Sequence, residues 1–424
     1  MGMRCNTLCF SPHSPILIRP PHTYSFKCQF LYKPSLVSCS TKNRVERWYN
    51  PKTTKRKSDQ VEISRHWVEP NSPLPSISQE KFTVVSYNIL GDKNAAKHRD
   101  LYSLIPQEYM KWDRRKKLIC EELIEKDSDI ICLQEVDKYY DLLEIMEKQG
   151  YTGSFTQRSG GAVDGCAMFW KADKFRLLEG ESIEFKDFGL RDNVAQIYVF
   201  EMCRDDSRRV LVGNIHVLFN PSRGDIKLGQ IRVLLSRAQT LSEKWGNVPV
   251  VLAGDFNCTP QSAIYQFISS SQLDVALYDK KYLSGQHGRH PPHSGCFRGY
   301  MSRTMLLMDR FMNKSWSEEE TMSATGNTNG TIAEHPLRLK SSYASVKVTE
   351  GPLRTRDFHG EPLATSFHSK FLGTVDYLWY SEGLVPSRVL DTPPLDILRK
   401  TQGLPYKKLG SDHLALVSEY AFRL

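Results

Sequence analysis

The stretch "VPVVLAGDFNCTP", residues 248–260, decides how this chain is to be read. Apolar β-formers run from Val248 to Ala253, as in a strand covered on both faces, and the run ends in Gly254, Asp255, Phe256 and Asn257. Gly, Asp and Asn commonly end strands and open loops, so one such tip is as easily a turn as a site. What separates the two readings is whether other strands end in the same way.

They do. Short runs rich in β-branched and aromatic residues recur as "KFTVVSYNIL" (81–90), "SDIICLQEV" (128–136), "GCAMFW" (165–170) and "VAQIYVFEM" (194–202). "VLVGNIHVLF" (210–219), "GTVDYLWYS" (373–381) and "HLALVSEYAF" (413–422) continue the series. Asn88, Glu135, His216, Asp376 and the pair Asp412–His413 lie at or near the ends of these runs, as Asp255 and Asn257 do in theirs. Six places offering a carboxylate, amide or imidazole exceed what punctuation requires. If the ends converge, they form a cleft of oxygen donors with two histidines.

Between the strands, Ile231, Leu234, Leu235, Ala238, Leu241 and Trp245 fall at helical spacing, and 111–126 has Trp112, Ile119 and Leu123 on one side. Strands interspersed with a few helices predict an α/β fold of two packed sheets with helices outside. The ordered body is expected to be one domain over 81–424. Residues 298–333, without sustained periodicity, are expected to form a long mobile insertion. His287, His290 and His293 in "HGRHPPH" lack metal-ligand spacing and read as loop histidines.

The 424 residues carry a formal charge of +9, which favours a polyanionic partner, and contain no run of about 18 apolar residues that would mark a membrane span. Residues 1–45 contain no Asp or Glu and "KTTKRK" follows at 52–57, so 1–80 is read as a disordered basic region. That start fits an organellar transit peptide, the "KTTKRK" run fits a nuclear signal, and a plain solvated arm fits both. Ten cysteines without a C-x-x-C pair, with Cys132, Cys166 and Cys203 in apolar runs, fit a reduced protein with buried thiols.

Oxygen donors without thiolates suit Mg²⁺ or its substitute Mn²⁺, which take one or two carboxylates and leave room for water and phosphate. Glu135 with Asn88 beside it meets that need. Asp255 and Asn257, two apart in extended chain, point the same way, so that one can take a proton from water while the other orients it. Histidines can donate to a phosphorus centre, and Asp376 can hold one imidazole in its donating tautomer. The constellation predicts metal-assisted hydrolysis of a phosphate ester.

In order, "SYNIL", "CLQEV", "GNIHVLFNP", "LAGDFN", "TVDYLWYS" and "GSDHLAL" resemble the endonuclease/exonuclease/phosphatase superfamily over roughly 81–424. Within it the chain looks most like the carbon-catabolite-repressor type of poly(A)-specific exoribonuclease, including its plant homologues and the related Angel branch. The resemblance implies a four-layer α/β sandwich, two mostly antiparallel sheets flanked by helices. It implies Glu135 as principal Mg²⁺ ligand with Asn88 beside it and Asp412 near a metal. Asp255 and Asn257 would prepare water, His216 and His413 would stabilise the transition state, and Asp376 would orient a histidine. Pro221 and Phe371 occupy the places that contact adenine, with Asn220 as a further substrate-binding residue.

The activity implied is 3′→5′ removal of AMP from poly(A), in nucleus or cytoplasm, with plastid or mitochondrion as the alternative. A 2′,3′-cyclic phosphatase or 2′-phosphodiesterase could run on the same machinery. A non-catalytic RNA-binding scaffold would be marked by loss of Glu135, Asp255 or a histidine, and all are present. Where some superfamily nucleases carry a second acid after the first Asn, this chain has Leu90. No L-x-x-L-x-L series precedes residue 81, so the resemblance brings no leucine-rich docking region for a deadenylation complex.

Overall fold

A computed structural model describes residues 62–71, 73–286, 316–328, 330–346 and 354–424. The basic stretches at 1–45 and 52–57, the histidines of "HGRHPPH" and residues 298–315 lie outside this set.

Seventeen strands are described. They are β1 (Trp67–Val68), β2 (Ile77–Asn88), β3 (Ile130–Val136), β4 (Tyr151–Gln157), β5 (Gly165–Lys171), β6 (Phe175–Glu184), β7 (Val194–Met202), β8 (Asp205–His216) and β9 (Val250–Asp255). β10 (Gln272–Asp274), β11 (Ile332–Glu334), β12 (Leu339–Ser341), β13 (Ser366–His368), β14 (Phe371–Gly373), β15 (Asp376–Ser381), β16 (Leu384–Leu390) and β17 (Leu416–Arg423) follow. The helices that matter here are α1 (Asp92–Lys97), α2 (Gln107–Met110), α3 (Trp112–Lys126), α4 (Tyr139–Glu147), α5 (Gly224–Lys244), α6 (Ala263–Ser270) and α7 (Glu318–Thr325).

Two large sheets result, β1-β16-β17-β2-β3-β5-β4 and β12-β15-β9-β8-β7-β6, with small two-stranded ribbons β10-β11 and β13-β14. Alternation within each strand explains why the runs read as continuously apolar. In β2, Phe82 and Val84 face the second sheet, while Val85 and Tyr87 join Trp112, Ile119 and Leu123 of α3 on the outer side. In β9, Val251 and Ala253 enter the inter-sheet core, while Val250 and Leu252 pack with α5 and α6. Helix, sheet, sheet and helix are therefore the four layers, as the sequence implied.

Two of the strand pairs are parallel, β2–β3 and β8–β9, and the intervening chain carries α3 in one case and α5 in the other. Parallel strands end at the same sheet edge, so each unit delivers two strand tips to one place. The register sets Asn88 opposite Gln134 and His216 opposite Asp255. β15 runs antiparallel to β9, so its first residue, Asp376, lies opposite Asp255 at that same edge.

Buried polar groups tie the sheets together behind the tips. Asn214 of β8 donates from Nδ2 to the carbonyls of Leu133 (3.1 Å) and Ala167 (2.9 Å) in the other sheet. Its Oδ1 accepts from Gln134 Nε2 at 2.8 Å. Gly254 permits the β8–β9 approach, since a Cβ there would lie 2.1 Å from the Ile215 carbonyl oxygen.

Four expectations need correction. Order begins before residue 81: β1 pairs with β16, and Arg65 donates to the carbonyls of Ala415, Leu390 and Asp391. The stretch expected to be mobile over 298–333 contains, in its described part, α7 and the start of β11. A capping box between Ser317 and Glu320 opens α7, and β11 pairs with β10. That helix was hard to read because it is short and only weakly amphipathic. Cys203 is exposed, because β7 ends at Met202 and the chain turns there, whereas Cys132 and Cys166 are buried. Finally, β9 stops at Asp255, so Asn257 is not in extended chain; its φ of +47° breaks the alternation that was to align it with Asp255.

The buried polar bolt makes a stability prediction. Asn214→Ala removes the donor to the Leu133 and Ala167 carbonyls and one of the acceptors of Gln134 Nε2, and should cost about 2–4 kcal/mol. The urea midpoint at unchanged m-value measures it; a loss under about 1 kcal/mol would show that the bolt is not needed.

Candidate active site

Glu135 is placed by a break in regular pairing. The β3–β5 register shifts between Leu133 and Val136, and Glu135 sits at φ +56°, a left-handed conformation costly for a residue with a Cβ. The bulge turns its carboxylate out of the sheet. Oε2 accepts from the Gly91 amide (3.1 Å) and Asn94 Nδ2 (2.9 Å), and Oε1 accepts from Asn88 Nδ2 (3.1 Å). Burial opposes charge on Glu135, but His216, Asn94, Asn88 and His413 together hold its pKa below the ordinary range.

The Asn88 amide reaches across the sandwich. The same Nδ2 donates to Asp255 Oδ2 at 3.1 Å, while its Oδ1 accepts from the Leu90 amide at 3.0 Å. Asn88 therefore acts here as a donor that joins two carboxylates from two sheets. Its nitrogen, rather than its oxygen, faces the two carboxylates in this structure.

Asp255 is 2% exposed. Burial and the charge of Asp376 raise its pKa, against the pull of His413 and His216. Oδ1 accepts the Asn257 backbone N–H at 2.9 Å. Asn257 thus fixes Asp255 through its main chain. Its side chain is spent elsewhere, on the Val217 carbonyl (3.0 Å) and Gln286 Nε2 (3.2 Å). Beneath this turn lies Lys227 of α5, whose Nζ donates to the Asn257 carbonyl (2.7 Å) and Gln286 Oε1 (2.5 Å). Burial depresses the Lys227 pKa to about 7.

The two histidines approach from opposite sides. His216 Nε2 lies 3.6 Å from Asp255 Oδ2 and 4.0 Å from Glu135 Oε1. His413 Nε2 lies 3.9 Å from Asp255 Oδ2, and its Nδ1 is 2.8 Å from Asp376 Oδ2. Asp376 is steadied in turn by Thr365 Oγ1 at 2.6 Å. Burial alone would keep His413 neutral, but Asp376, Asp412 and Asp255 outweigh it and raise its pKa well above the usual histidine range. Asp376 Oδ2 is shared by His413 and Thr365. We therefore read the close group of Asp255, Asp376 and His413 as a hydrogen-bonded relay.

Asp412 Oδ2 accepts from Tyr102 OH (2.8 Å), and its charge is among those that raise the His413 pKa. Asn220 is exposed and accepts from the Ser222 amide, and Pro221 is half-buried beside it. Phe371 lies half-buried in β14, its ring 6.0 Å from that of His368. The β13–β14 ribbon joins the site where Ser366 pairs with His413.

The donor set fits a hard divalent cation. Glu135 and Asp255 bring two carboxylates to one amide, and among the described residues neither pairs with Lys or Arg. No described cysteine is hydrogen-bonded to either. Glu135 and Asp255 would supply the charge and hard oxygen that such an ion needs.

Several supporting residues carried no motif. Arg115, fully buried in α3, donates to the carbonyls of Ile89 (3.0 Å) and Leu90 (2.7 Å) and so fixes the turn that presents the Gly91 amide. Arg115 and Lys227 sit among apolar helix residues, and a charge on a buried helix face was the one available signal.

A profile of the endonuclease/exonuclease/phosphatase family matches residues 85–413. Carbon catabolite repressor protein 4 homolog 3 of Arabidopsis thaliana is 55% identical over 389 residues, covering 91% of this chain and 86% of that protein. More distantly, the CCR4-Not complex 3′-5′-exoribonuclease subunit Ccr4 of Phaeosphaeria nodorum is 25% identical over 81% of this chain and 60% of its own length. Among solved structures, ANGEL2, a 2′,3′-cyclic phosphatase in complex with adenosine-2′,3′-vanadate, superposes with a TM-score of 0.68. It is 29% identical over 85% of this chain and 99% of that one.

The relay makes a testable demand on proton affinity. Asp376→Asn removes the negative charge that favours the imidazolium, so the His413 pKa in metal-free protein should fall by at least about one unit. An NMR titration of the His413 ring would measure it; an unmoved pKa would show that Asp376 does not hold the proton.

Proposed function

The chain belongs to the endonuclease/exonuclease/phosphatase family, and from that we propose that it is a Mg²⁺-dependent 3′→5′ exoribonuclease that removes AMP from poly(A). The family makes it a hydrolase of phosphate esters. Support for RNA comes from its similarity to the Arabidopsis carbon catabolite repressor homologue and to the fungal exoribonuclease subunit. The observation that carries the reading is the Asn88 amide, which holds a cation-seeking carboxylate and a water-activating carboxylate at 3.1 Å each.

On this reading Asp255 accepts a proton from water as the water oxygen bonds to phosphorus. Its raised proton affinity suits it to that task. Asn257 and Lys227 keep that carboxylate in place. His413, fixed at Nδ1 by Asp376, presents Nε2–H to a phosphoryl oxygen, and His216 offers a second donor. Glu135 would hold a divalent cation, which would compensate the charge gathering on the phosphate. As the P–O3′ bond breaks, the 3′-oxygen takes a proton from the His413 imidazolium, the proton on Asp255 (3.9 Å from His413 Nε2) restores it, and AMP departs from a shortened tail. Phe371, with Pro221 and Asn220, contacts the terminal adenine. Action in the nucleus or cytoplasm goes with this reading, as does RNA as partner. Among the described residues no helix is long and apolar enough to cross a membrane.

A second reading has a specific observation behind it. The similarity to a 2′,3′-cyclic phosphatase that holds an adenosine-2′,3′-vanadate extends over most of this chain. Water activated in the same way would open a cyclic ester at an RNA end to a monoester, and a second water would release the phosphate.

RNAs ending in A20, in U20 or in a 2′,3′-cyclic phosphate, incubated with full-length protein and Mg²⁺, separate the two. Stepwise loss of the A20 tail ahead of U20 is expected; equal loss would remove the adenine preference. Rapid loss of the end phosphate from an intact tail would replace the exonuclease with the second reading. EDTA or Glu135→Ala should abolish turnover. Asp255→Ala should lose about 10²–10⁴-fold in kcat while RNA affinity stays within about twofold. Undiminished turnover in either variant would overturn the roles assigned.

A further inference from the structure

Residues 91–102 form one margin of the site. At one end the Gly91 amide and the Asn94 side chain both hold Glu135, and at the other Tyr102 holds Asp412. The same segment supports the ribbon that carries Phe371. Ser369 donates its amide to the Leu101 carbonyl at 3.0 Å, and Lys370 pairs with Asp100 at 2.5 Å. The backbone between these anchors is therefore fixed against the reacting groups and against the aromatic ring.

The outward side of this margin is basic. Lys93 and Lys97 are exposed and four residues apart on α1, so they share a face, and exposed Arg99 follows in the next turn. Like charges at that spacing slightly destabilise a helix, though Lys97, in the last turn, also meets the negative end of the α1 dipole. The segment's own acids do not neutralise the three. Asp92 faces Arg115 (3.6 Å) and Lys138 (2.9 Å), and Asp100 faces Lys370. Among the described residues no ion pair engages Lys93, Lys97 or Arg99.

We propose that Lys93, Lys97 and Arg99 form a phosphate-binding ledge along which single-stranded RNA runs into the site. The inference rests on the RNA reading above and extends it from the scissile phosphate to the phosphates behind it. Three cations, rigidly joined to the Glu135 anchor and to the Phe371 ribbon, match the repeating charge of a nucleic-acid backbone. They make no provision for reading bases. The ledge therefore governs affinity for length and charge, while Phe371 and its neighbours govern the terminal base.

Binding of labelled A20 to the full-length protein in EDTA, followed by anisotropy across a KCl series, tests this. The variant Lys93→Gln/Lys97→Gln/Arg99→Gln should flatten the plot of log K against log salt by about 2, since each single-strand phosphate contact contributes about 0.7. Lys97→Gln alone should flatten it by about 0.7, which keeps the test available if the triple variant unfolds. Lys148→Gln, at the end of α4, serves as the control and should leave the slope unchanged. Hydrolysis of A20 by the parent protein is measured alongside. If the parent cleaves A20 but the substitutions leave slope and affinity unchanged, the ledge alone is overturned. If the parent neither cleaves nor binds RNA, the ledge and the RNA reading fall together.

Discussion

One amide holds two like charges in place. Glu135 and Asp255 belong to different sheets, and each accepts from Asn88 Nδ2. Two carboxylates about 5 Å apart repel by about 3 kcal/mol at an effective dielectric of about 20. That cost is tolerable only while donors face them and the backbone cannot retreat. The rest of the site answers this constraint. Gly91 and Asn94 take the other oxygen of Glu135, Asn257 takes the other oxygen of Asp255, and the two imidazoles approach what remains.

The scaffold meets the same demand by doubling a simple device. Each sheet contributes a parallel strand pair, with a long helix, α3 or α5, in the chain between its strands. Each of those helices also buries one cation under the loop it supports. Arg115 grips the carbonyls after β2, and Lys227 grips the carbonyl after β9. Burying a cation is costly, and Lys227 shows it in a pKa pushed down to about 7. The return is positional: turns that carry left-handed Leu90 and Asn257 are held from below rather than left to solvent. Gln134 and Asn214 fix the distance between the sheets just behind the tips.

Much of this was legible in the sequence because strand patterning and strand-end chemistry are local. The eight principal strand runs are all strands, and the polar residues at their ends converge. Legibility stopped where tertiary context overrides local signal. The alternation rule predicted that Asn257 would share a face with Asp255, but the strand ends one residue too soon. Asn88 read as a metal ligand, yet an amide has two ends and only the fold decides which one faces the carboxylates. Tyr102, fourteen residues past the end of β2 in an unpatterned segment, holds Asp412 and carried no signal of its own. α7 escaped notice because a short polar helix packed on α5 leaves little periodic trace. Arg115 and Lys227 had no motif, since a buried cation is conspicuous only once its surroundings are known.

The path of the chain has a consequence of its own. β17 lies between β16 and β2, and Ser411 donates to the Asn88 carbonyl across 323 residues of sequence. Asn88, Glu135, His216 and Asp255 all precede Asp376 and His413 in the chain, and β2 and β9 take β17 and β15 as partners. Contacts of such long range close late in folding, after the loop entropy between them has been overcome. A chain synthesised only as far as β9 would hold both carboxylates and neither Asp376 nor His413. The relay is complete only once β15 has paired with β9 and the segment before β17 has joined it, which ties the site to the closure of the whole chain.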